Sequence, residues 1–72
     1  MERTEWVKNF ANALGVQVPS ENEVDKVLKL AGIAAHASER TSAPLACWIA
    51  AQSGRSTDEV IEIANQVTDN LT

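Results

Sequence analysis

The chain carries one cysteine and one histidine, Cys47 and His36, the minimum pair for thiol-based nucleophilic chemistry. That chemistry needs a group that removes or weakens the thiol proton. Nothing flanking Cys47 does so: its neighbours are Ala46 and Trp48, and the segment 42–53 holds no charged residue. A free cysteine in such a setting reads as a small core residue. One Cys and one His also fall short of the three or four ligands of a zinc site. No catalytic residue, metal or cofactor is therefore expected, and the chain reads as non-enzymatic.

His36 and Arg40 stand four residues apart near the end of a predicted helix. On one helix they would share a face, and cations there meet the negative end of the helix dipole. One reading is C-terminal capping. The other is a small cationic spot for an acidic group on a partner. Trp6 and Trp48 divide in the same way, between core anchors and interface hot spots. His36, Arg40 and Trp48 are the candidate partner-contact residues.

Two patterned readings carry further chemistry. Ala50, Gly54 and Val60 have the spacing of a helix-turn-helix: a small residue at a helix crossing, a glycine in the turn and an apolar anchor beyond it. Ile49 and Ile63 also fall at its apolar positions. Arg55, however, takes a turn position that is usually apolar. The would-be reading helix offers Asp58, Glu59, Glu62 and Asp69 with no Lys or Arg, whereas base edges and phosphates call for donors and cations. The pattern is kept as geometry, and a DNA-binding regulator is the disfavoured alternative. An acidic four-helix chain also invites an acyl-carrier reading, which needs Asp-Ser-Leu at a helix start. Ser20 is followed by Glu, Ser42 by Ala and Ser56 by Thr, so the motif is absent.

Composition sets the frame. The net charge is −4 in 72 residues. It is uneven: residues 1–41 hold five Lys/Arg against six Asp/Glu, while residues 42–72 hold one against four. The C-terminal part would repel a phosphate backbone, so nucleic acid is not an expected partner. A lone cysteine excludes an intramolecular disulfide and points to a reducing compartment. No apolar run approaches a membrane span, and Met1-Glu2-Arg3-Thr4-Glu5 does not read as a signal peptide. The expectation is a cytoplasmic protein with no membrane partner.

The elements that must position these residues read as four helices in one domain, residues 1–72. The first runs from about Thr4, a candidate N-cap, to Leu14, with Trp6, Val7, Phe10, Ala11 and Leu14 on one face and Gly15 as its stop. Val16 and Val18 are expected to tuck against the core. Ser20 and Glu23 form a capping box for the second helix, about Glu21 to Ser38, with Val18 set to staple onto Val24. Its main stripe is Val24, Val27, Leu28, Ala31, Ala34 and Ala35, and its second is Leu30, Ile33 and Ala37. Gly32 inside it suggests close approach of another helix. Ser42 is the candidate N-cap of the third helix, about Ala43 to Ser53. A helix without charge is expected to be buried or at an interface. Ser56 and Glu59 form a second capping box, and the fourth helix follows to about Asn70, with Val60, Ala64, Val67 and Leu71 inward.

Ala35-His36, Arg40, Ala43-Pro44-Leu45, an aromatic at Trp48, Gly54 and the Trp6 helix ending at Leu14-Gly15 resemble a family of short actinobacterial domains of unknown function. Members occur alone or attached to the C-terminus of molybdenum-cofactor guanylyltransferase-like proteins. The resemblance covers residues 5–67, with Trp48 where Phe or Tyr would be expected. It implies an all-helical accessory protein, with a molybdenum-cofactor nucleotidyltransferase as an implied partner, and it brings no catalytic residue.

The resulting expectation is an all-α, compact four-helix bundle with its last two helices arranged like a helix-turn-helix and its third helix most buried. The expected role is a protein-interaction or accessory module that binds a protein partner or itself. Eleven of the 72 residues are alanine, ten of them in the first three helices, which favours close helix packing.

Overall fold

The computed structural model describes residues 1–71, the last for its backbone alone. Those residues form four helices and no strand: α1 Arg3–Leu14, α2 Glu21–Ala37, α3 Ser42–Ser53 and α4 Thr57–Leu71. The all-α, four-helix expectation holds.

The helix ends follow from local hydrogen bonding. Ser20 caps α2, its hydroxyl accepting the Glu23 N–H at 3.1 Å, and Ser56 caps α4 by accepting the Glu59 N–H at 3.2 Å. Both expected caps are present, each satisfying an amide that has no partner inside its helix. The first helix departs from expectation. Glu2, not Thr4, is its N-cap, with the Glu5 N–H donating to the Glu2 carboxylate at 2.9 Å. The longer glutamate side chain reaches the same amide that a shorter cap would serve. At the far end Gly15 adopts φ 73°, and the Gly15 and Val16 amides donate to the Asn12 and Ala11 carbonyls. That pairing is the Schellman stop, which favours a residue without Cβ. Thr41, not Ser42, occupies the N-cap of α3, and its side chain makes no capping bond. The Ser42 amide already donates to the Glu39 carbonyl, so the turn winds in before Ser42.

The packing is organised around α2, whose contacts with α3 and with α4 are the substantial ones; α1 makes none of comparable extent, nor do α3 and α4 with each other. The domain measures 40 × 24 × 18 Å and its radius of gyration is 13.1 Å. A chain of this length in the usual packing has about 11 Å. The turn of residues 54–56 joins α3 to α4 in the helix-turn-helix order, with Gly54 at φ 70°.

Among the described residues only Ala11 and Leu30 are buried, each 5% exposed. The inward stripe of α2 runs through Leu30, half-buried Ile33 and Ala34, so its second stripe faces α3 and α4, while Val27 and Leu28 of the main stripe are exposed. On α4, Val60, Ile61 and Ala64 are half-buried and Val67 is exposed; the side chain of Leu71, expected inward, lies outside the described residues. Three expectations are corrected. The charge-free α3 is not the most buried helix and has no buried residue. Val16 and Val18 are exposed rather than tucked in. A Cβ added to Gly32 would meet nothing within 4 Å, so no helix closes on it.

Candidate functional site

Because α3 and α4 both lie on α2 but do not close on each other, a groove opens between them. Its volume is about 530 Å³. Leu30, Ile33, Ala34 and Ala37 of α2 line it together with Leu45, Ala46, Ile49 and Ala50 of α3 and Val60, Ile63, Ala64 and Val67 of α4. The alanines explain the width. A methyl group at Ala34, Ala46, Ala50 and Ala64 leaves space where a leucine would reach across.

The walls are mostly alkyl, and at the α3–α4 end the polar groups are engaged within the chain. The Ser53 hydroxyl donates to the Ala50 carbonyl at 2.7 Å and accepts the Arg55 amide at 3.2 Å. Thr68 turns its hydroxyl back to the Ala64 carbonyl at 2.9 Å. The guanidinium of Arg55, the one cation of residues 42–72, pairs with Glu59 at 3.0 Å. Of the other lining hydroxyls, Ser38 and Ser42 at the α2–α3 end make no side-chain hydrogen bond among the described residues, and no titratable group stands beside them among the lining residues except Arg55. The groove offers dispersion contact and exclusion from water, which suit an apolar occupant.

The large side chains around the groove are not satisfied by the chain itself. Leu45, Trp48 and Ile49 are 61%, 67% and 65% exposed. Three such residues on one turn and a half of helix make a contiguous apolar patch, not the scattered exposed apolar residue of an ordinary surface. At the other end of the molecule α1 shows the same pattern. Val7 is half-buried and Ala11 buried, yet Trp6, Phe10 and Leu14 are exposed. The Trp6 and Phe10 rings stack on each other with centroids 4.9 Å apart. The spacing puts all five apolar residues of α1 on one face and leaves Trp6 open between core anchor and interface contact, because periodicity reports a face and not what covers it.

Of the three candidate contact residues, Trp48 is exposed on α3 and flanks the groove without lining it. His36 is exposed in the last turn of α2. Arg40 is exposed in the connection to α3, because α2 ends at Ala37. No continuous helix therefore holds His36 and Arg40 at four-residue spacing. The end of α2 is closed by the Ser38 amide donating to the Ala34 carbonyl, not by either cation. Cys47 is half-buried with a free thiol. Among the described residues no group of three His, Cys, Asp or Glu is placed to hold a metal ion, and no helix is long and apolar enough to cross a membrane. The groove itself was not found from the sequence; the only signal for it was the charge-free α3 with alanines at its packing positions.

The fold and site define a small all-helical domain with an open apolar groove. The chain belongs to the family described as a domain of unknown function, DUF6457, whose model matches residues 1–72. No curated protein and no solved structure matches the chain.

Proposed function

We propose that the domain is a non-enzymatic protein-interaction module that takes an amphipathic helix into the groove between α3 and α4. The observation that carries the reading is the groove with its exposed flank of Leu45, Trp48 and Ile49. Helix-in-groove recognition uses apolar anchors spaced along one helix face, and a groove walled by alanine accommodates large ones. An enzyme site would need polar groups converging on a reacting atom, whereas Ser53, Thr68 and Arg55 are engaged within the chain and Ser38 and Ser42 have no acid or base among the lining residues beside them. The resemblance to domains attached to molybdenum-cofactor guanylyltransferase-like proteins makes such a nucleotidyltransferase the first other protein to test. The DNA-binding alternative gains nothing: α4 presents carboxylates, and Arg55 is tied to Glu59.

The test is a photo-crosslinking residue placed at Ile49 in cells, with the same residue at exposed Asn22 as control. A protein adduct at position 49 that is missing at position 22 supports the reading. Equal labelling at both positions, or none at 49, overturns it. Random DNA is expected to give no mobility shift at low salt, where electrostatic binding is strongest.

A further inference from the structure

We propose that the occupant of the groove is α1 of a second copy of this chain, exchanged reciprocally across a twofold axis. The inference rests on the groove being an interaction surface and adds what fills it.

Area is the first argument. The chain exposes 5693 Å². A folded monomer of its mass exposes about 4,400 Å². The excess is about 1,300 Å², and a stable homodimer covers about 800 to 2,500 Å² on each partner. The surplus surface of one chain is thus the amount that a dimer interface would cover.

Shape is the second. The α3–α4 groove is a concave, strongly apolar surface, and the Trp6–Phe10–Leu14 stripe of α1 is an exposed apolar ridge. Two grooves cannot fill each other, but a ridge fills a groove. The twelve residues of α1 equal the twelve of α3, so the ridge and the wall run to the same length. Trp6, Phe10 and Leu14 recur every four residues, which sets them along one side of the helix. Within one chain α1 is kept at the other end. It lines a recess with Val18, Val24 and Leu28, beside the N-terminal half of α2, whereas the groove lies over Leu30 to Ala37. Val7 and Ala11 can stay on their own α2 while the neighbouring stripe enters the partner. In a twofold pair each groove then receives one ridge and the assembly closes.

Charge is the third. Helix α1 carries Arg3 and Lys8 against Glu5, and α4 carries Asp58, Glu59, Glu62 and Asp69 with no cation. Among the described residues neither Lys8 nor Glu62 has an ion-pair partner within the chain. A partner's α1 brings Arg3 and Lys8 toward α4, whose Asp58 and Glu59 are already paired with Lys26 and Arg55 but whose Glu62 is not, whereas a groove-to-groove pairing would bring two acidic helices together.

The experiment measures mass in solution by sedimentation equilibrium and then maps the contact. The wild-type chain is expected at twice its monomer mass. Trp6→Ala with Phe10→Ala, and separately Ile49→Arg, are each expected to weaken the dimer at least about tenfold. Circular dichroism confirms that the variants keep their helices; all three positions are exposed in the monomer. For the map, Cys47→Ala chains carrying Phe10→Cys are mixed with Cys47→Ala chains carrying Ile49→Cys and oxidised. A crosslink between the two kinds of chain, exceeding that of either kind with itself, supports the exchange. A dimer that crosslinks only through position 49 with itself overturns α1 as the occupant. A strict monomer at every concentration overturns self-association. The photo-crosslink at Ile49 then separates the two ideas, because capture of another protein leaves the interaction reading standing, and no capture removes that as well.

Discussion

Helices α3 and α4 rest on the same face of α2, and they are built on opposite plans. On α4 the apolar residues Val60, Ile61 and Ala64 are half-buried while Asp58, Glu59 and Glu62 stand in solvent. On α3 there is no charge to stand in solvent, and Leu45, Trp48 and Ile49 stand there instead. Side-chain bonds tie α4 to α2: Lys26 Nζ lies 3.1 Å from Asp58 Oδ2, and the Thr57 hydroxyl donates to Glu23 at 3.5 Å. No side-chain bond ties α3 to α2 among the described residues. The first buries part of its apolar face on its own chain and leaves Ile63 and Val67 toward the groove. The second has the composition of a core helix and half of the covering a core helix needs. Amphipathicity reports how a helix meets water, and its absence reports that a further surface is needed.

The largest effect is expected where both helices share support. Leu30 lies on the floor under the groove and is one of two buried residues among those described. Leu30→Ala is expected to cost about 2–5 kcal/mol. A domain of this length has a total stability of about 4–11 kcal/mol. Urea titration followed by circular dichroism should show a large fall in midpoint. A change under about 1 kcal/mol would mean that α2 is not the hub.

A matched pair of isoleucines separates the two plans. Ile61→Ala on α4 removes half-buried surface and is expected to destabilise the folded chain by about 1–2 kcal/mol. Ile49→Ala on α3 removes surface that the monomer leaves in water, so its cost in dilute protein is expected to stay within about 0.5 kcal/mol. Its effect should appear in association instead. Equal costs for the two in dilute protein would show that α3 is as well covered as α4.

The caps form a second pair. Ser56→Ala removes the oxygen that accepts the Glu59 amide and is expected to cost about 1 kcal/mol. Thr41→Ala removes a side chain that caps nothing and is expected to cost under about 0.5 kcal/mol. Thermal melts of both variants decide it, and a larger loss for Thr41→Ala would reverse the assignment.

These contrasts show what was readable in the sequence. The serine caps at Ser20 and Ser56 were legible because donor and acceptor lie three residues apart, and Gly15 and Gly54 because a left-handed stop is a local demand. The reciprocal half of each box is not made among the described residues, since the Glu23 and Glu59 carboxylates accept from Thr57 and Arg55. The four helices were legible through apolar spacing, and the residues around His36, Arg40 and Pro44 led to a family of domains of unknown function. What was not legible is which surface each stripe meets. Leu30 outranks Val27 and Leu28 only because α3 and α4 approach α2 from that side. Trp6 and Phe10 lie on a good apolar face of a helix that is covered only along Val7 and Ala11. Gly32 suggested a crossing helix, and the space beside it is open. The candidate contacts His36 and Arg40 were tied together by a helix that stops three residues before Arg40.

The smallest expected effect tests the tie that α4 has and α3 lacks. The Lys26 side chain is 27% exposed and its partner Asp58 is 74% exposed. Water reaches one end of the pair freely, so its coupling is expected at about 0.5 kcal/mol and below 1 kcal/mol. Asp58→Asn alone misstates it, because Asp58 lies in the first turn of α4 and also favours the helix dipole. The cycle of Lys26→Met, Asp58→Asn and the double variant isolates the pair, since methionine keeps an unbranched apolar stem. Screening adds a second readout. The Debye length falls from about 10 Å at 0.1 M salt to about 3 Å at 1 M, so the coupling should shrink across that range. A dimer held by alkyl and aromatic groups of α3 should not weaken with it. If salt instead dissolved the association and left the Lys26–Asp58 coupling intact, the division between a charged α4 tied to α2 and an uncharged, exposed α3 would fail.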